Sequence, residues 1–230
     1  MEKTMKLKIA LLTGLILLLG TLAYAADVTS WDFGLKPCKT QVTGQLVQYD
    51  GQADDGSLQK GVARSYTALS TGQYAATTGI TLNAKTIAME NACVVDNNSG
   101  LMWMKYTPDS DLGPGNDGKL YWYKAADTEN IFAFCTAANA ASLAGHTDWR
   151  VPNINELFGL IVQDTGIGAP YIDTAYFQCV SAGYWSSTTN FAGTTEAWVI
   201  PFTPAAGIYL IYGRDKDTTL YYVRLVRNTP

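Results

Sequence analysis

Histidine is nearly missing from this chain: His146 is the only one in 230 residues. No two of the four cysteines stand in a Cys-x-x-Cys pair, which argues against a dithiol redox motif and against a zinc knuckle. There is no excess of positive charge, since 16 lysines and arginines face 20 aspartates and glutamates. That balance argues against nucleic acid and against nonspecific attraction to anionic surfaces. Only one long apolar run occurs, at the N-terminus. Nothing later is long and apolar enough to cross a bilayer.

That single run carries its own meaning. Lys3, Lys6 and Lys8 precede the apolar stretch Ile9–Leu19, and Ala23-Tyr24-Ala25 follows it. A basic start, a short apolar core and small residues at −3 and −1 read as a secretory signal, with a retained anchor as the alternative. No cysteine follows the run, which argues against a lipoprotein. Residues 1–25 are therefore expected to be removed, leaving about 205 residues, enough for one large domain or a domain with an extension. The mature balance would be 13 basic against 19 acidic residues, a net charge of −6.

All four cysteines, Cys38, Cys93, Cys135 and Cys179, lie in the exported part. An even count in an oxidising compartment predicts two disulfides, with three possible connectivities. The favoured pairing is Cys38–Cys93 and Cys135–Cys179.

Residues 26–90 are rich in Gly, Thr, Ser and Gln, with short alternating runs such as Gln45–Tyr49 and a turn signal at Asp54-Asp55-Gly56. They read as an N-terminal extension of short strands packed on a main domain spanning 91–230. Ala92–Asp96 and Leu101–Met104, separated by Asn97-Asn98-Ser99-Gly100, predict a β-hairpin. The same turn faintly resembles the start of a calcium loop, but the glutamate such a loop needs is absent. The Gly/Pro-containing acidic stretch Asp109–Lys119 reads as a solvated loop, with a cation site as the sharper alternative. Trp122–Leu143 has helical spacing, the run Thr128-Glu129-Asn130 as its possible interruption, and Gly145 as its stop.

The densest stretch is Gly145–Leu157, GHTDWRVPNINEL. Asn153 followed three residues later by Glu156 is a capping-box signature, and Pro152 sits just before the cap. Ile154, Leu157, Phe158 and Ile161 supply an amphipathic stripe. Asp148 and Arg150, flanking Trp149, are expected to pair with each other or with the region of Arg224, latching the corner before the helix to the sheet. An acid–base role for His146 with Asp148 is the competing reading. Side chains two apart in an extended segment diverge, and no serine or cysteine lies in a nucleophile motif. Beyond Gly183, alternating aromatic and β-branched runs predict an antiparallel meander: Gly183–Thr189, Glu196–Phe202, Ile208–Tyr212 and Leu220–Val226, with a polar turn over Gly213–Thr219. The whole is an α+β plan.

Ser99-Gly100-Leu101-Met102-Trp103, Cys135, Ala144–Asn153, Glu156-Leu157, Tyr184–Thr188 and the terminal Val223-Arg224-Leu225-Val226-Arg227 occur in the order of a known family. Together they make the chain similar to the C-terminal domain of the collagen-like adhesin Lcl, a domain common in exported bacterial proteins. The segment Asp54–Val62 resembles a leader often found before that domain. The resemblance implies a C-type-lectin-like fold, with two helices packed on a curved antiparallel sheet with long loops. It also implies surface recognition, since the adhesin is known for binding sulfated polysaccharides. The family often has a cysteine between the two Val-Arg pairs. Leu225 stands there in this chain, so the family's bond from the helix cysteine cannot form, and Cys135 must pair elsewhere or stay free. The collagen-like stalk is also missing.

The Trp-Arg-x-Pro element additionally resembles formylglycine-generating and sulfatase-modifying enzymes. Those need a reactive cysteine pair near the C-terminus, and no cysteine follows Cys179. The calcium-binding Glu-Pro-Asn, Gln-Pro-Asp and Trp-Asn-Asp motifs of calcium-dependent lectins are absent as well. The expected function is therefore a non-catalytic recognition module, adhesin-like, binding glycans or another surface ligand, with no cofactor and no metal. A structural subunit of a cell-surface assembly is the alternative. Trp103, Trp149 and Trp185 are expected in the core. Trp198, Tyr209 and Tyr212 are the candidate stacking residues, and Arg214 and Lys216 the candidate cations for a sulfate or carboxylate. Location in the periplasm, at the cell surface or outside the cell is expected, with a polysaccharide or surface protein as partner.

Overall fold

A computed structural model of the chain describes residues 62–69, 80–82, 85–87, 93–106, 117–125, 129–162, 169–203 and 211–229. The expected signal segment, Asp54–Gly56, Cys38, most of the acidic loop and Tyr209 lie outside the described residues.

The predicted hairpin forms as β4 (Cys93–Asp96) and β5 (Leu101–Met104), paired from Cys93↔Met104 to Asp96↔Leu101. Its turn is built from Asp96, whose carboxylate accepts from Asn98 N at 2.9 Å and from Ser99 Oγ at 2.7 Å. Gly100 takes a φ of +69°, which only glycine adopts without strain. The aspartate that hinted at calcium thus serves as the turn's anchor. β1 (Tyr66–Leu69) flanks β4 and β11 (Val226–Asn228) flanks β5, giving an antiparallel sheet in the order β1-β4-β5-β11. A second antiparallel sheet runs β7 (Gly183–Thr189), β8 (Glu196–Pro201), β9 (Tyr212–Asp215). Two short pairs complete the set: β2 (Ile80–Leu82) with β3 (Lys85–Ile87), and β6 (Leu120–Tyr121) with β10 (Leu220–Tyr221).

Both larger sheets are buried on both faces, and strand alternation assigns the residues. Cys93, Met102, Met104, Trp185, Ala197 and Val199 enter one core cluster. Val94, Trp103, Val226, Tyr184 and Ile200 enter the other. Each helix closes one of these clusters. Helix α1 (Ile131–Ala140) contributes Ile131, Phe134 and Ala138 to the first, and α2 (Ile154–Phe158) contributes Leu157 to the second. Two-sided burial is why β4 and β5 read as continuous apolar runs rather than alternating ones. Trp103, Trp149 and Trp185 are all buried, as their sequence context predicts.

Several expectations need correction. The helical reading from Trp122 holds only beyond Asn130, within the interruption expected over Thr128-Glu129-Asn130; residues 122–125 are not helical. The Asn130 side chain accepts from Phe132 N at 3.1 Å and Ala133 N at 2.9 Å, capping α1. Gly145 does not end that helix; it closes a separate 3-10 turn, Leu143–Gly145, after Ala140. Helix α2 is only five residues long, so of its stripe Leu157 and Ile161 are buried while Phe158 faces solvent. The sheet is not one continuous surface. The run expected as one strand, Leu220–Val226, is split, since residues 223–225 leave the ladder and turn Arg224 inward.

Candidate functional site

The stretch around Trp149 is a structural corner. Trp149 is buried, its indole N–H donates to Leu143 O at 2.8 Å, and Asn139 bonds both its N–H and its carbonyl at 2.8 Å. The capping box forms in full: Asn153 Oδ1 accepts from Glu156 N at 2.9 Å, and Glu156 Oε2 accepts from Asn153 N at 2.8 Å. Arg150 then adds a fork onto the same carboxylate, at 2.7 and 2.6 Å. Burial alone would raise the Glu156 pKa, but the Arg150 and Asn153 hydrogen bonds and the Arg150 charge hold it below the usual carboxylate range. Asp148 and Arg150 do not pair with each other; the expected link to the region of Arg224 forms, two to three residues beyond Arg224 itself. Asp148 binds Arg227 instead, at 2.7 and 3.2 Å. Arg150 also ties the corner to β11, through a backbone bridge with Val226.

This arrangement bears on acid–base chemistry. The Arg227 hydrogen bond lowers the Asp148 pKa, and the carboxylate is committed to that guanidinium. Burial first, and then the Arg227 charge, lower the His146 pKa against the opposing effect of Asp148. Among the described residues, no group of three His, Cys, Asp or Glu side chains is placed to hold a metal ion.

The candidate ligand residues divide between the two faces of the β7–β8–β9 sheet. Arg214 pairs with Ala197 and Tyr212 with Val199, so both point to the side of the first core cluster, at its solvent rim. Lys216, two residues past Arg214, continues that stripe. Trp198 pairs with Gly213 and points to the opposite side. On the rim, the Arg214 guanidinium lies 4.2 Å from the Tyr212 ring centre and donates to Tyr221 Oη at 3.3 Å. Burial, followed by the Tyr221 hydrogen bond, pushes the Tyr212 phenol up to about 12. Lys216 Nζ lies 4.3 Å from the Trp122 ring and donates to Thr189 Oγ1 and Thr194 O at 2.9 and 2.8 Å. Lys216 is thus largely engaged within the fold, while Arg214 keeps an exposed guanidinium face. Trp122 and Tyr221 complete this rim and were not among the sequence candidates. Arg214 was expected in a polar turn over Gly213–Thr219, but it lies in β9 (Tyr212–Asp215), and only tertiary structure brings Trp122 and Tyr221 to this stripe.

On the other face a second feature appears that composition did not signal. The β7–β8 loop projects Phe191, 89 % exposed, with its ring centre 6.1 Å from that of Trp198. The loop is firmly built. Asn190 is buried, donates to Glu196 Oε2 at 2.8 Å and accepts from Ala192 N at 3.0 Å. This Asn190–Glu196 pair lies directly over Gly213, where a side chain would collide with both residues.

The expected disulfides are not found among the described residues, where Cys93, Cys135 and Cys179 are free thiols. Cys135 and Cys179 pack against different core clusters, which keeps them from pairing. Cys135 donates to Trp149 O at 3.1 Å, and Cys179 contacts Tyr184 Oη at 3.3 Å. Leu225 is buried in the same cluster against which Cys135 packs, so an apolar side chain takes the place of the family's cysteine. Burial raises the thiol pKa of Cys93 to about 12 and of Cys135 to about 11.

No curated protein and no solved structure matches the chain. The model of the Lcl C-terminal domain matches residues 92–227, which takes in α1, α2, the hairpin, the Trp149 corner and the β7–β9 sheet. That span is more than half of the chain, and the protein belongs to the Lcl C-terminal domain family.

Proposed function

We propose that this chain is an exported, non-catalytic recognition module that binds anionic glycans, or a surface ligand of like chemistry, at the β9 rim. Family membership supports a domain of a bacterial surface protein. Among the described residues no helix is long and apolar enough to cross a membrane. The observation that carries the ligand reading is the stripe Tyr212, Arg214 and Lys216 with Trp122 and Tyr221 beside it. Aromatic faces of this kind stack on sugar C–H surfaces, and an exposed guanidinium gives charge-assisted bonds to sulfate or carboxylate. The α1 and α2 helices on opposite faces of antiparallel sheets also support the C-type-lectin-like arrangement, with β1, β2 and β3 adding strands to it. The test is a glycan array that includes sulfated polysaccharides, with the mature protein and with or without chelator. Chelator-independent binding to sulfated or uronate-containing glycans supports the reading, and a blank array from folded protein refutes it.

A second reading is favoured by Phe191. An apolar ring held outward by a hydrogen-bonded loop beside Trp198 suits a protein partner in a cell-surface assembly. Phe191→Ser would abolish that association and leave glycan binding unchanged.

A further inference from the structure

Arg224 is a fully buried guanidinium with no carboxylate partner among the described residues. It donates to the carbonyls of Met104, Lys105 and Gln178 at 2.6, 2.7 and 2.7 Å, and its Nε has no hydrogen-bond partner. The rings of Phe177 and Tyr184 lie 5.3 and 5.7 Å from it. Taking a charge out of water is costly, and buried charges are normally compensated by a counter-charge. Here the compensation is carried by carbonyl dipoles, ring faces and the neighbouring Cys179 side chain, so a net positive charge remains in the interior.

That charge stands behind the wall of a solvent-facing depression of about 440 Å³. Lys105, Tyr106, Phe177, Gln178 and Cys179 line it, together with Thr174 and the apolar Pro170 and Ala175. Arg224 touches three of these directly, through the Lys105 and Gln178 carbonyls and the Phe177 ring. Lys105 adds a second cation, its ammonium 5.4 Å from the Tyr106 ring and without an ion pair to any described carboxylate. None of the described lining residues is acidic, although the chain as a whole carries a net charge of −4. The lining side chains include an ammonium, a hydroxyl, a carboxamide and a thiol, each a hydrogen-bond donor.

We propose that this depression is an anion-binding site for a small ring compound bearing one carboxylate or sulfate. Lys105 makes the direct ion pair, Thr174 and Gln178 donate hydrogen bonds, and Phe177 supplies the apolar wall. Arg224 acts through the wall as a fixed positive charge, its field little screened because no water surrounds it. The site is separate from the β9 rim and does not rest on the rim's function.

Cys179 gives a local readout. Its alkylation by N-ethylmaleimide is followed by peptide mass spectrometry on the mature protein, with Cys135 as the internal control. Glucuronate, N-acetylglucosamine 6-sulfate and glucose are titrated at millimolar concentration; the first two separate carboxylate from sulfate. The proposal predicts saturable slowing at Cys179 by at least one of the anions, none by glucose, and an unchanged rate at Cys135. Lys105→Gln should weaken the protection about tenfold or more, as expected for losing a charge-assisted contact, while Arg214→Ala leaves it intact. Protection by neither anion, equal protection by glucose, or full protection in Lys105→Gln overturns the assignment. Loss of protection in Arg214→Ala alone would instead place anion binding at the rim.

Discussion

Glu156 joins two structures that the sequence shows separately, the cap of α2 and the Trp149 corner, so replacing it separates their energies. Glu156→Ala removes three hydrogen bonds at once, two from Arg150 and one from Asn153 N. The capping contribution is about 1 kcal/mol. The Arg150 pair has to be discounted, because the arginine side chain is 41 % exposed even though Glu156 is only 18 % exposed; about 0.5–1 kcal/mol is appropriate. The loss should total about 1.5–2 kcal/mol, which lowers Tm by roughly 3–8 °C for a chain of this size. Glu156→Gln keeps an oxygen for Asn153 N but loses the charge and one of the two Arg150 hydrogen bonds, so it should cost about 0.5–1 kcal/mol. The pH dependence has a definite sign. The folded pKa lies below the unfolded value of about 4.3, so the charge contributes stability above that value and loses it as pH falls through the folded pKa. Urea unfolding of wild type, Ala and Gln variants from about pH 7 down to about pH 3 reads this directly. The wild-type advantage over Gln should shrink on acidification. Equal losses for Ala and Gln, or a gap that is constant with pH, would refute the shared role.

Asp148→Asn should cost less than about 1 kcal/mol, since its carboxylate is 60 % exposed although Arg227 is buried; thermal unfolding at two salt concentrations checks it. Gly213→Ala should destabilise by about 1–3 kcal/mol, because the new methyl displaces the Glu196 carboxylate from Asn190, and urea midpoints measure the effect. Native protein should label slowly at Cys93 and Cys135, and after unfolding without reductant Cys93, Cys135 and Cys179 should all react with alkylating reagent. A non-reducible mass shift at any of the three would fit that picture, whereas a disulfide-linked peptide pair would contradict it.

Local chemistry was the most legible part of the sequence. Asn153 and Glu156 are three residues apart, so their reciprocal hydrogen bonds follow from helix geometry alone. The Asn97–Gly100 turn is likewise closed locally, by the Asp96 carboxylate and the positive φ of Gly100. What depends on distant chain was not legible. Asp148 meets Arg227 across 79 residues, and no local spacing chooses Arg227 over Arg224. The faces of β8 and β9 follow from a register in which Trp198 opposes Gly213, so Trp198 is separated from Tyr212 and Arg214. The interruption expected over Thr128-Glu129-Asn130 did mark the start of α1, which Asn130 caps, but nothing local showed that Trp122 lies outside the helix. Arg224 reads as an ordinary strand residue in Val-Arg-Leu-Val-Arg, and only the interruption of the ladder turns it into the core.

The β9 rim is the centre of the functional account, and its most direct test is the affinity of the mature protein for a sulfated polysaccharide, compared between wild type and Arg214→Ala at two salt concentrations. The account predicts measurable binding that weakens with salt, falls about tenfold or more in Arg214→Ala and is unaffected by Phe191→Ser. Binding that ignores Arg214, or no binding from a protein whose unfolding curve matches wild type, would contradict it.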